Sequence, residues 1–179
     1  VRKVTSVKNI KDVYSKRILS NILNEDPFAV YAKTSGTMLR LTKGLNNKHL
    51  RTPLKKGRWS VAQIVSHFCD AEIAMSYRLR MVIAQSGGPI QAYDQDKWSA
   101  VTYDKRADCL ANIRLFTTLR NANVSLLEHL PSRAWQRYGM HEERGKETVE
   151  RMVQMLAGHD INHLRQIEQI RNAYLKKSS

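Results

Sequence analysis

The stretch Leu156-Ala157-Gly158-His159-Asp160-Ile161-Asn162-His163-Leu164-Arg165-Gln166-Ile167 decides how the rest of the chain is read. His159 and His163 are four residues apart. On an α-helix that spacing places two side chains about 40° apart in direction, one turn above the other. Two imidazoles so placed can hold one divalent metal. Leu156, Ile167, Ile170 and Tyr174 continue the same stripe at spacings of three and four. The pair therefore faces the interior, where a polar side chain has to be satisfied. A hydrogen bond within the protein and a metal ion both meet that need.

Working outward, Thr148 is a candidate N-cap for a fourth long helix from Val149 to about Tyr174. Upstream, Trp59-Ser60-Val61-Ala62-Gln63-Ile64 combines a capping box, Ser60 with Gln63, and a hydrophobic staple, Trp59 with Ile64. This predicts a second helix from Val61 to about Gln85, ending before Gly87-Gly88-Pro89. Ile64, His67, Ala71, Ala74 and Arg78 form one of its faces. A lone histidine among apolar neighbours is by default a satisfied core residue. Beside the pair at 159 and 163, His67 becomes the further ligand that a two-histidine metal site needs.

Asp26-Pro27 reads as N-cap and first helical position. The first long helix is expected from Pro27 to Lys43, stopped by Gly44, with Phe28, Tyr31, Ala32, Met38, Leu39 and Leu45 inward. A third, capped by Asp104, should run to Leu130 on a core set of Leu110, Ile113, Phe116, Leu119, Leu126 and Leu127. Asn46 to Gly57 reads as a polar linker, Gly87 to Ala100 as a loop long enough to cover one end, and Ser132 to Glu147 as a loop with one helical turn. Val13, Tyr14, Ile18, Ile22 and Leu23 suggest a short lead-in helix. No segment carries a strand signal. The expectation is an all-α four-helix bundle over residues 25–176, preceded by a basic lead-in segment, residues 1–24.

The chain has 179 residues, 42% of them hydrophobic, enough for one domain with a real core. No apolar run approaches the roughly 18 residues of a membrane span. No apolar signal core follows Val1-Arg2-Lys3-Val4. Cys69 and Cys109 make no disulfide framework, so a reducing, cytoplasmic setting is expected. The net charge of +14 suits an acidic partner, either nucleic acid or an anionic substrate. The basic residues are dispersed, densest from Arg2 to Arg17, and are not interleaved with aromatics in the manner of a single-strand platform. A solvated basic surface is the plain alternative.

Trp59-Ser60 followed by His67, Asp70-Ala71-Glu72, Tyr77-Arg78-Leu79-Arg80, Tyr93-Asp94-Gln95-Asp96-Lys97-Trp98, Gly158-His159-Asp160 and His163 with Gln166-Ile167 together resemble the DinB-like superfamily, and within it the YfiT-type metal-dependent hydrolases. The resemblance spans residues 59–170. It implies helices running up, down, down and up, a three-histidine metal site at His67, His159 and His163, and a homodimer. Relatives include enzymes that transfer bacillithiol to electrophiles and a branch that isomerises maleylpyruvate with mycothiol. The basic leader lies outside the family pattern.

Three neutral imidazoles leave coordination positions open, the layout of a catalytic site. Zinc is the default ion, and nickel suits the same ligands. Such a metal can activate water for hydrolysis or bind a low-molecular-weight thiol as thiolate. The expected function is a metal-dependent hydrolase or thiol S-transferase acting on a small-molecule substrate. Asp160, Gln166 and Arg78 are its candidate catalytic residues. Asp160 is shorter than the glutamate base of zinc proteases. It can orient a ligand, accept a proton, or make an ordinary interhelical bond. Gln166 shares the face of His163. Arg78 can meet an anionic substrate or pair with Asp70, Asp94 or Asp96. Cys69 should point away from His67, and His141 is a remote candidate for the pocket. The rival expectations are a basic nucleic-acid-binding bundle and a bundle that binds metal or ligand without turnover.

Overall fold

A computed structural model describes residues 1–103 and 108–175. Four long helices carry the fold: α2 (Pro27–Thr42), α4 (Val61–Ala84), α6 (Cys109–Glu128) and α7 (Val149–Leu175). Shorter elements join them: α1 (Val13–Leu19), α3 (Asn47–Arg51), α5 (Gln95–Thr102), and strands β1 (Pro89–Ile90), β2 (Tyr138–His141) and β3 (Gly145–Thr148).

The starts are set by local chemistry. The Asp26 carboxylate accepts from the amides of Phe28 and Ala29 at 2.9 and 3.1 Å, and Pro27 needs no such partner. At α4 the expected capping box is present. Ser60 Oγ accepts from the Gln63 amide at 3.3 Å, and Gln63 Oε1 accepts from the Ser60 amide at 2.9 Å. The Arg151 amide donates to Thr148 Oγ1 at 3.1 Å, which starts α7 where expected. Asp108 caps α6 through the Leu110 amide. The expected cap, Asp104, lies outside the described residues, as does the tail from Lys176 to Ser179.

The contacts also give the directions. Arg171, late in α7, donates to the carbonyls of Leu41 and Lys43 at the end of α2, while Thr34 meets Asp160 halfway along both. So α2 and α7 run parallel. In α4 and α6, Cys69 bonds to Asn112 and Arg80 to Asn123, so these two are parallel as well. Tyr31, near the start of α2, packs with Leu79, Val82 and Leu127, near the ends of α4 and α6. The two pairs therefore oppose each other: up, down, down, up. Parallel neighbours cannot be joined by a tight turn, and the 24 residues of α4 span about 36 Å. The segment from α4 to α6 must travel back along the bundle, which is why it is long enough to carry β1 and α5.

Several expectations are corrected. The segment 132–147 has the expected helical turn, at Ser132–Gln136, but continues as the hairpin β2–β3, with β1 parallel to β2 on its other edge, in a small sheet ordered β1-β2-β3. The strands are two to four residues long, too short for alternation to show in sequence. The loop 87–100 contains β1 and most of α5, and the polar linker contains α3. Leu110 and Leu39 are half exposed, and Ala32 faces solvent. The buried face of α6 is Cys109, Ile113, Phe116, Arg120, Asn123 and Leu127. Ile113, Phe116 and Leu127 of the expected set lie on it, and the polar Arg120 and Asn123 complete it where apolar side chains were expected.

The lead-in segment is docked on the bundle. Ile18, Leu19 and Ile22 are buried with Met155 and Ala157 of α7. Arg2 binds Glu150 through its side chain and amide. α1 approaches α7 tightly at Gly158, where a Cβ would lie 2.3 Å from the Ile18 carbonyl oxygen. Helix α7 is thus covered on nearly every side from Met152 to Asp160. Among the described residues, no helix is long and apolar enough to cross a membrane.

Candidate metal centre

His67 projects from the second turn of α4, and His159 and His163 project from the middle of α7. They meet in the bundle interior with relative exposures of 2%, 8% and 7%. Nε2 of His67 and Nε2 of His159 are 2.8 Å apart. One ligand nitrogen from each of the three histidines lies within 4.8 Å of the others. Nitrogens about 2.1 Å from one tetrahedral ion would stand about 3.4 Å apart, so the cluster has nearly the spacing that shared coordination requires.

The protonation chemistry agrees. Burial pushes His67 down to about 3, with the neighbouring His159 acting in the same direction. Burial, then His159 and His67, push His163 well below its usual value. Both rings are therefore neutral near pH 7, the form that ligates a metal. The outer nitrogens of His163 and His159 are occupied. Nδ1 of His163 faces Gln166 Oε1 at 3.2 Å, and Nδ1 of His159 faces Asp160 Oδ1 at 3.4 Å. An acceptor at Nδ1 holds the ring proton there and leaves the Nε2 lone pair directed inward.

Asp160 is fixed from behind. Its Oδ2 accepts from Thr34 Oγ1 at 2.7 Å and from Arg120 Nη1 at 2.6 Å. The same guanidinium donates to Glu72 Oε2 at 2.8 Å and to the Tyr31 carbonyl at 2.7 Å. Glu72 Oε1 accepts from Tyr31 and Asn123 at 2.8 and 2.7 Å. Arg120, Glu72 and Asp160 are each 1% exposed. One guanidinium between two carboxylates leaves a negative charge in excess, close behind His159. Burial opposes ionisation of Asp160, but Arg120 and His159 together outweigh it and hold the carboxyl below its usual range. Arg120 and Asn123 were not legible as site residues, because a charged residue on a helix is normally assigned to the solvated face. Glu72 stood in the family-like stretch but carried no role.

Two cavities open beside the histidines. One, of about 650 Å³, is bounded by His159, His163 and Gln166, with Trp59 at one wall. The indole stacks on His163 with ring centroids 6.0 Å apart. The other, of about 330 Å³, is bounded by His159, Arg78, Arg144 and His141. The β2–β3 hairpin brings His141 there, so the remote candidate does line the pocket. Arg78 does not pair with Asp70, Asp94 or Asp96: it donates to the Gln91 carbonyl and lies over the Tyr93 ring, 5.4 Å from its centroid. Asp70 instead accepts from Thr102 at 2.7 Å, which ties α5 to α4. Cys69 turns away and bonds to the Asn112 carbonyl at 3.1 Å. His49 stacks on Tyr174 and His129 faces the Ser125 carbonyl, both away from the site.

The sequence profile of the DinB superfamily matches residues 31–167. Two candidate metal-dependent hydrolases of Oceanobacillus iheyensis are 27% and 28% identical over 124 and 123 residues, 69% of this chain and 71% of theirs. YfiT of Bacillus subtilis, also a candidate metal-dependent hydrolase, is 26% identical over 128 residues, 70% of this chain and 71% of that protein. Its solved structure is described as a probable metal-dependent hydrolase with an unusual four-helix bundle topology. It superposes with a TM-score of 0.76 over 98% of this chain and 95% of that one, at 19% identity. At that identity the superposition speaks for the shared fold.

Proposed function

This chain belongs to the DinB superfamily, and from that premise we propose that it is a metal-dependent enzyme acting on a small molecule, with His67, His159 and His163 holding a divalent ion. The convergence of three buried imidazoles from two helices carries the reading. Three protein ligands are what catalytic rather than structural sites provide. Zinc or nickel suits such a set. Bound there, the ion would supply Lewis-acid activation of a water, for hydrolysis, or of a low-molecular-weight thiol, for transfer.

The chain's own residues supply the rest. Asp160, held by Arg120 and Thr34, fixes the ring of His159. Gln166 fixes His163 and lines the larger cavity. Trp59 covers the outer face of His163 and keeps bulk water from that side. Arg78 is placed to line the smaller cavity and not to touch the histidines. The chain's cysteines cannot serve as the transferred thiol. Both are buried, and burial raises Cys69 to about 12 and Cys109 to about 11. Their free state suits a reducing, cytoplasmic setting.

The test strips the metal with a chelator and restores it. Ester hydrolysis and conjugation of a small thiol to an electrophile are followed together with the melting curve. Turnover lost on stripping, regained on reloading, and a fold intact throughout are the expected results. Unfolding on stripping, with no substrate consumed in either state, would instead mark a structural metal.

A further inference from the structure

Helix α1 belongs to the lead-in segment, yet its position makes it a wall of the site. Ile18 packs against Gly158, one residue before His159. Arg17, the residue before Ile18, is thereby set at the rim of both cavities. We propose that the site takes a small organic anion and that Arg17 binds its charged group beside His163. The proposal rests on the reading of the three imidazoles as metal ligands.

Three observations carry it. The first is that Arg17 has no assigned partner. Its guanidinium makes no hydrogen bond or ion pair among the described residues and only lies 5.5 Å from the Tyr14 ring centroid. Arg2, Arg120 and Arg144 are each bound to a carboxylate, whereas Arg17 is exposed and is not. The second is the sign of the larger cavity. Arg17, Lys55 and Arg58 line it against a single carboxylate, Asp96. The third is shape. Leu54, Trp59 and Ile170 give this 650 Å³ space an apolar side. A volume of that order holds a metabolite-sized ligand. An apolar body with a carboxylate at one end fits both the wall and the charge. Arginine meets such a group with two parallel N–H donors.

The experiment uses the full chain loaded with cobalt(II). Benzoate and its neutral analogue benzyl alcohol are titrated at low ionic strength, read by the cobalt absorption bands and by calorimetry. Benzoate should bind more tightly than benzyl alcohol. Arg17→Ala should weaken benzoate roughly ten- to hundredfold, the loss of a charge-assisted hydrogen bond, and Arg17→Lys should weaken it less. Cobalt affinity, measured by chelator competition, should not change in either variant. Lys16→Ala removes an equal charge from the next residue, which lines neither cavity, and should leave benzoate binding as it was. Benzoate binding no tighter than benzyl alcohol, equal binding by Arg17→Ala, or an equal loss in Lys16→Ala would overturn the anion site alone. A wild-type protein that holds no cobalt, or a His163→Ala variant that holds it as well as wild type, would overturn the metal reading and this proposal with it.

Discussion

Each nitrogen of His159 has its task set by what surrounds it: Nε2 points at His67, and Nδ1 at a carboxylate that cannot turn away. Asp160→Asn keeps the size of that side chain but removes its charge and one acceptor for Arg120. Metal affinity should fall about ten- to hundredfold, the usual cost of losing an outer-shell carboxylate, while the melting temperature of the metal-free protein changes less than in Arg120→Met. The latter strands two buried carboxylates and should cost about 3–5 kcal/mol, read by denaturant unfolding. The buried imidazoles make a further prediction for the metal-free protein. His67 takes up its proton near 6.5 in the unfolded chain but only at about 3 in the fold. Between those values the unfolded state binds more protons, so stability falls as the pH is lowered. The slope from this residue is at most about 1.4 kcal/mol per pH unit. Melting curves from pH 7 to pH 4 should show a steady decline that His67→Phe reduces. The histidines themselves were legible in sequence because their spacing coincides with an apolar stripe. Arg120 was not, since nothing local distinguishes a guanidinium destined for two carboxylates on other helices from one in solvent.

The contact between α1 and α7 depends on a missing side chain. Gly158 sits mid-helix, where alanine would normally be favoured by about 1 kcal/mol. Here the added Cβ would stand 2.3 Å from a backbone oxygen, which cannot swing aside as a flexible side chain can. The steric cost should win, at about 1–3 kcal/mol. Gly158→Ala should melt several degrees lower, and α1 should be cut first in limited proteolysis. An unchanged melting temperature would mean that α1 is not seated as described. Capping made the helix starts at Pro27, Val61 and Val149 readable, since those signals are local. The β2–β3 hairpin was not readable. Its strands are four residues each, and its place is set by packing against β1 and the end of α4. His141 is carried by that hairpin, so its arrival at the cavity could not be derived from spacing along the chain.

At the scale of the molecule, the up-down-down-up order places α4 beside α7, and that neighbourhood brings His67 to residues more than ninety positions later. The resemblance to a known family supplied the order of the helices; periodicity alone predicts four helices and leaves their directions open. The charge of +14 is spread over the chain, and a part of it, Arg17 with Lys55 and Arg58, gathers at the mouth of the larger cavity. The account as a whole depends on one cation shared by three imidazoles. Elemental analysis of the purified protein and of His67→Ala, His159→Ala and His163→Ala, after equilibration with zinc or nickel and removal of excess, tests this most directly. The account predicts close to one bound divalent ion per chain in the wild type and a large loss in each variant, with helical content retained. Equal metal content in all four proteins, or none in the wild type, would contradict it.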